Sequence, residues 1–406
     1  MLSYIDREIF QLIQKETKRQ ECELELIASE NYASKAVLQA AGSILTNKYS
    51  EYPGKRYYAG QEYIDQIENL AISRAKELFA EYVNVQPLSG SPANMAVFLA
   101  VLQPDTILLS LDQGHLSHGH PLNFSGLLYN IIPYHLNKQT YEIDMDEVEK
   151  LAKKHKPKLI LAGFSAYSKN IDWERFSSIS EKYGAILMAD ISHIAGLIAG
   201  KMLQNPVPYC DIVTTTTHKT LRGPRGAIIM SRAQYEKDIA RAVFPVQPHE
   251  NLIAAKAVAF QEALRDDFHN YARNVILNAQ AFAQALERNW KVVFGGTDNH
   301  IILLDVFGSF VTGKQAEKAL EQVGISTNKN MIPFDTRKPM DPSGIRIGTP
   351  AVTTRKMKEE QMVYIAQIMT EVMIYIQNTG ILENPVHIQH WRNQVRTLCE
   401  NFPIYT

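Results

Sequence analysis

The chain has 406 residues, 45% hydrophobic and 21% charged, with a formal net charge of −1. That length can bury a large core and more than one domain, and the near-neutral balance gives no general attraction for nucleic acid or an anionic membrane. No apolar run approaches the about 18 residues of a spanning helix, residues 1–25 lack the apolar core of a signal peptide, and Cys22, Cys210 and Cys399 form no CxxC pair. The expectation is a cytoplasmic protein in a reducing compartment.

In residues 4–20, Ile5, Ile9, Leu12 and Ile13 recur at helical spacing among charges, which predicts an amphipathic arm. Residues 21–60 are irregular and rich in Tyr, Gly and polar groups; a long structureless stretch in a compact domain is usually functional. It contains Ser29, Tyr49, Glu51, Tyr57 and Tyr58. A 3.6-residue period through Ile64, Ile67, Leu70, Ala71, Ala75 and Leu78 predicts a helix over 62–82. Next, Ser89, Gly90 and Ser91 make a small-residue turn that opens a helix. Its backbone N–H groups would suit an anion, though a plain capped turn reads the same way. A strand is predicted over 105–111, followed by Gly114-His115-Leu116-Ser117-His118-Gly119-His120. These histidines lack a carboxylate or thiol at ligand spacing, so no metal is expected.

Strand and helix then alternate: strand 158–164, helix 173–183, and strands 185–189, 212–217 and 227–230. This is the pattern of a mostly parallel α/β sheet. Asp190 ends one apolar strand and Lys219 stands just past the next, followed by a turn with Gly223 and Pro224. Open α/β sheets place their ligand crevice at such strand ends. A lysine there can form a Schiff base and a carboxylate can keep a pyridine nitrogen protonated, which together fit pyridoxal phosphate (PLP). Taken singly, Asp190 can also read as a helix cap, and a lone lysine in a loop most often reads as a surface lysine. A helical region over 251–290, a strand over 301–306 and helices over 313–323 and 359–377 make a smaller α+β domain. Within it Arg346 stands between two glycines, as a carboxylate binder or a surface ion pair. The expected division is an arm, 1–50, a large domain, 51–268, and a small domain, 269–406.

Six stretches together resemble the serine hydroxymethyltransferase family: Leu26-Ile27-Ala28-Ser29-Glu30-Asn31, Asn47-Lys48-Tyr49-Ser50-Glu51, Pro53-Gly54-Lys55-Arg56-Tyr57-Tyr58, Gly163-Phe164-Ser165-Ala166-Tyr167-Ser168, residues 214–219, and Ser343-Gly344-Ile345-Arg346-Ile347-Gly348-Thr349-Pro350. The resemblance implies an α/β, fold-type I PLP-dependent transferase, with a mostly parallel large-domain sheet and a smaller α+β C-terminal domain. It implies that Lys219 carries PLP, that Asp190 and His193 support the ring nitrogen, and that Ser165 lies near the ring oxygen. His115 would stack on the ring; Ser89, Gly90, Ser91 and His218 would take the phosphate. Arg346, Ser29 and Tyr58 would hold the amino acid. Glu51 would shuttle the proton, with Tyr49 and Tyr58 supplied across a homodimer (a tetramer is left open) that the arm clasps. Leu111, Gly114, Leu116 and Asn330 match the side of the site that takes tetrahydrofolate.

Three departures stand out. The family shows Gln where this chain has Pro92. The segment before Gly114 is one residue shorter than the family norm. A glycine-rich loop is replaced by Val246-Gln247-Pro248-His249-Glu250-Asn251, where His249 or Gln247 would have to replace lost backbone donors to phosphate. The reading is a serine/glycine hydroxymethyltransferase using tetrahydrofolate. The alternative is a folate-independent aldolase or transaldolase acting on threonine or another β-hydroxy amino acid.

Overall fold

The computed structural model describes residues 2–51, 56–79, 82–112, 124–245 and 248–405. The chain divides into two compact units, residues 33–273 and residues 1–32 with 274–406.

The unit 33–273 is built on a seven-stranded sheet among the described residues. Its order is Tyr82–Asn84, Ala227–Ser231, Ile212–Thr216, Ile186–Asp190, Leu159–Ala162, Ile107–Leu111, Asn130–Tyr134. From Ile212–Thr216 to Asn130–Tyr134 every pairing is parallel; Ala227–Ser231 runs antiparallel to both its neighbours. The central strands are buried almost throughout, apolar over Leu159–Ala162 and up to Ala189 in Ile186–Asp190, and β-branched in Ile212–Thr216, as a sheet covered on both faces requires. Phe98, Leu108, Leu161, Met188, Ile212 and Ile229 form one core on this sheet. Flanking helices are bounded by local chemistry. In Trp173–Tyr183 the Asp172 side chain accepts from Arg175 N, and Gly184 closes the helix at φ 71°.

The predicted helix over 62–82 ends at Leu78, and Tyr82–Asn84 becomes an edge strand. The predicted helical stretch 251–290 is two helices, Glu250–Ala263 and Asp266–Glu287. The second begins with Asp266 and Asp267, charges that favour a helix N-terminus.

The unit 1–32/274–406 has a four-stranded antiparallel sheet in the order Asn328–Asn330, Gly344–Gly348, Ile301–Asp305, Lys291–Val292. Leu24–Glu25 pairs in parallel with Ile325–Ser326. Helices Gly313–Gln322, Glu359–Thr379 and Pro385–Asn401 contribute Leu320, Met369 and Val395 to its core. The helix Arg7–Cys22 buries none of its residues. Among the described residues no helix is long and apolar enough to cross a membrane.

Candidate active site

Asp190 lies at the C-terminal end of the central strand Ile186–Asp190, beside Ile212–Thr216 in parallel register, so its carboxylate emerges at the C-terminal ends of the parallel strands. Oδ1 accepts from Ser192 N at 3.0 Å and Ser192 Oγ at 2.5 Å; Oδ2 accepts from Asn94 Nδ2 at 2.8 Å. Asn94 is fully buried and its Oδ1 accepts from Thr214 Oγ1 at 2.6 Å, which fixes which end of the amide faces Asp190. Bonds of this kind hold a carboxylate in one orientation.

The segment after Asp190 is laced to the segment carrying Lys219. Thr216 N donates to Ser192 Oγ at 3.1 Å, Thr220 Oγ1 donates to His193 O at 2.8 Å, and Gly196 N donates to Thr220 Oγ1 at 2.8 Å. A Cβ on Gly196 would come within 2.2 Å of Thr220 O, so only glycine permits this approach. Lys219 is therefore held in a turn pinned to the Asp190 loop, and Arg222 N closes that turn on Lys219 O at 3.0 Å. His193 is buried within the same lacing, and Ser165 follows the adjacent strand Leu159–Ala162, half-buried.

His218 supplies a feature suited to an anion. Arg225 Nη1 lies 3.0 Å from His218 Nε2, and a guanidinium N–H can only donate. Nε2 is thus the acceptor and Nδ1 carries the proton of the neutral ring. Burial first, then the Arg225 and Lys219 charges, pull the His218 pKa down to about 3, so the ring is neutral at pH 7. Its Nδ1 is buried without a hydrogen-bond partner. Nearby in the same unit, helix Gly90–Val101 starts after Ser89, whose side chain makes no capping bond. A Cβ on Gly90 would sit 2.9 Å from Thr216 Cγ2, so glycine lets this helix start close against the strand end. Ser91 is exposed in the first turn, and Pro92 adds no N–H there.

Tyr49 Oη donates to Glu51 Oε1 at 2.6 Å, and the Tyr49 and Tyr58 rings meet edge to face at 5.3 Å. This irregular segment is anchored by Ser50 to Glu250 and by Arg56 to Asp65 and Glu68, at 2.7 and 2.5 Å for the latter two. Leu111 is buried at the end of its strand.

In the other unit Arg346 sits mid-strand in Gly344–Gly348, opposite Leu303 and Asn328. It is 7% exposed, and burial draws its guanidinium down to about 10. Asn328 Oδ1 accepts from its Nε at 3.0 Å, which sets the plane of the fork. Gly348 N donates to Leu26 O at 2.8 Å, and a Cβ there would lie 2.4 Å from Ala28 Cα. Ser29, the next residue along, is thereby fixed within the same unit as Arg346. Asn330 is buried with Oδ1 unpartnered, an open acceptor.

Gly114, His115 and Leu116, with His118 and His120, lie outside the described residues, as do Pro53, Gly54, Lys55, Val246 and Gln247. His249 is exposed ahead of Glu250–Ala263 and caps nothing with its side chain. The sequence reading passed over Asn94, Ser192, Thr216, Thr220 and Arg225. Only Asn94 carried a signal, as a lone amide on the buried face of an otherwise apolar helix.

A lysine and a carboxylate on adjacent strand ends of a mixed α/β sheet define the class: an α/β protein with a strand-end site of the kind that PLP enzymes use. Residues 2–369 match the family model described as serine hydroxymethyltransferase, and the chain belongs to that family. Members of this family use PLP in interconverting serine and glycine. The described residues fit the cofactor: His218 offers an orphaned buried N–H, and Asp190 is fixed at the C-terminal end of its strand by Ser192 and Asn94.

Proposed function

We propose that the chain is a PLP-dependent hydroxymethyltransferase that interconverts serine and glycine with tetrahydrofolate as one-carbon acceptor, in a cytoplasmic homodimer. The observation that carries this is the lacing of the Asp190 loop to the Lys219 turn through Ser192, Thr216 and Thr220. When bound, PLP supplies an electron sink for the pair left at Cα as the Cα–Cβ bond of a β-hydroxy amino acid breaks.

Around that chemistry the protein binds, orients and moves protons. Lys219 anchors the cofactor, and Asp190, oriented by Asn94 and Ser192, holds a proton on the ring nitrogen. His193 and Ser165 would border the ring, and the resemblance gives His115, outside the described residues, the stacking role. His218 Nδ1 and the Ser89–Gly90–Ser91 helix start take the phosphate. Arg346 presents its outer guanidinium edge to the α-carboxylate, with Ser29 beside it, because Asn328 occupies Nε. Glu51, held by Tyr49 Oη, takes the β-hydroxyl proton as the bond breaks, and Tyr58 packs against Tyr49. The resemblance assigns Leu111, Asn330 and, outside the described residues, Gly114 and Leu116 to the folate.

The altered sequence at 246–251 and Pro92 favours a second reading on the same residues, a folate-independent aldolase or transaldolase. Product analysis with serine and with threonine, each with and without tetrahydrofolate, separates the two. Glycine from serine only when folate is present supports the transferase; folate-independent glycine and acetaldehyde from threonine at the higher rate supports the aldolase. Borohydride reduction of PLP-loaded protein should leave the pyridoxyl group on Lys219. A label on any other lysine overturns both readings.

A further inference from the structure

Lys256, on helix Glu250–Ala263, is 1% exposed. A lysine is almost never fully buried unless its ammonium is compensated. Here Nζ donates to three backbone carbonyls: Val85 O at 2.6 Å, Pro87 O at 2.9 Å and Ala227 O at 3.0 Å. Three acceptors match the three N–H bonds of an ammonium. A neutral amine would turn a lone pair toward one of them. Burial draws the group down to about 7 against the opposing pull of the Glu68 and Glu250 carboxylates.

The carbonyls belong to two segments that matter for the proposed cofactor cradle. Val85 and Pro87 lead from strand Tyr82–Asn84 into Ser89 and the helix Gly90–Val101. Ala227 opens the strand that follows the Lys219 turn, and its N–H donates to Pro87 O at 3.0 Å. One residue earlier, Gly226 O accepts from Thr217 N at 3.0 Å, and Thr217 Oγ1 donates to Pro224 O at 2.7 Å, just ahead of His218 and Lys219. A Cβ on Gly226 would lie 2.3 Å from Lys256 Cε, so the absence of a side chain there makes the channel for the lysine stem.

We propose that Lys256 is a positioning residue, whose ammonium sets the spacing between the helix start at Ser89–Ser91 and the turn that bears Lys219. The inference rests on reading those two segments as the PLP cradle. Lys256 touches neither the cofactor nor the reacting atoms. Its effect is to keep the phosphate end and the lysine end of the cradle in register.

The test uses Lys256→Met, which keeps length and volume and removes the donors, and Gly226→Ala, which crowds the same stem and keeps the ammonium. Apoprotein of each is titrated with PLP and with pyridoxal, which lacks the phosphate, and its folding is followed by circular dichroism. In folded Lys256→Met the preference for PLP over pyridoxal should fall by about 10-fold or more, the loss of roughly one charge-assisted contact. Gly226→Ala should move it in the same direction. An unchanged preference in folded Lys256→Met overturns the proposal; if that variant does not fold, an unchanged preference in Gly226→Ala does so. A parent that takes no pyridoxyl label on Lys219 would instead overturn the cofactor reading beneath it.

Discussion

Glu25 gives the unit 1–32/274–406 a pH dependence that a single substitution isolates. Its carboxyl is buried beside the arm, with Oε1 accepting from Ile27 N at 3.0 Å and Arg19 Nη2 at 4.0 Å from Oε2. Burial first and the Glu30 carboxylate second push its pKa from 4.5 up to about 8. Between those values the folded protein keeps a proton that the unfolded chain has lost. The associated stability is complete below about pH 4.5 and drains away as pH rises through about 8. Glu25→Gln keeps the shape and cannot ionise. It should melt with the parent at pH 5 and above the parent at pH 8.5. Thermal unfolding at both values checks this, and a gap that opens only on the acid side would show the sign to be wrong.

Among the elements, the ends of helices Arg7–Cys22 and Pro385–Asn401 are closed by one side chain. Arg355 is 1% exposed; its Nη2 donates to Gln20 O, and to Glu21 O and Glu23 O at 3.2 Å each. Its Nη1 donates to Phe402 O at 2.9 Å and Cys399 O at 3.3 Å. Terminal carbonyls lack helical partners, and the planar fork of an arginine can reach two sets of them at once. Arg355→Lys supplies a single point of donors and strands several buried carbonyls. We expect a loss of about 3 kcal/mol or more in urea unfolding; a loss under about 1 kcal/mol would remove Arg355 as the shared cap. Nothing in Thr353-Thr354-Arg355-Lys356 announced this, because a charged pair reads as surface. Lys256 left a faint trace, since Ile253, Ala259 and Phe260 place it on an apolar face. Helix Trp173–Tyr183 was legible to the residue because Asp172 and Gly184 punctuate it. Strand Asn130–Tyr134 was not, because Pro133 reads as a breaker. At the edge of the sheet the missing N–H of Pro133 is tolerated. The positions of Asp190, Lys219 and Arg346 were readable from apolar runs that end beside them or enclose them. The partners that orient Asp190 were not, because Asn94 and Thr214 meet it only once distant segments pack.

At the scale of the whole molecule, the proposed function asks for two copies. The stripe of Ile9, Leu12 and Ile13 on Arg7–Cys22 is uncovered, and that helix buries none of its residues; Ile5, on the separate helix Leu2–Ile5 ahead of the Asp6 cap, is 74% exposed. A stripe of this kind at helical spacing is what a second subunit would cover. Tyr49 and Tyr58, at 48% and 45%, are likewise open to a neighbour. If Glu51 and its tyrosines serve the Lys219 of the other copy, two inactive chains can complete one another. Lys219→Ala and Glu51→Gln homodimers should each be inactive. After exchange, half of the dimers are mixed, and each mixed dimer holds one intact site of two, so activity should return to about a quarter of the parent's. Native mass spectrometry of differently tagged chains establishes that the heterodimers formed. Proven heterodimers with no regained turnover would place Glu51 with the Lys219 of its own chain, and a parent that sediments as a monomer while fully active would remove the second copy from the mechanism altogether.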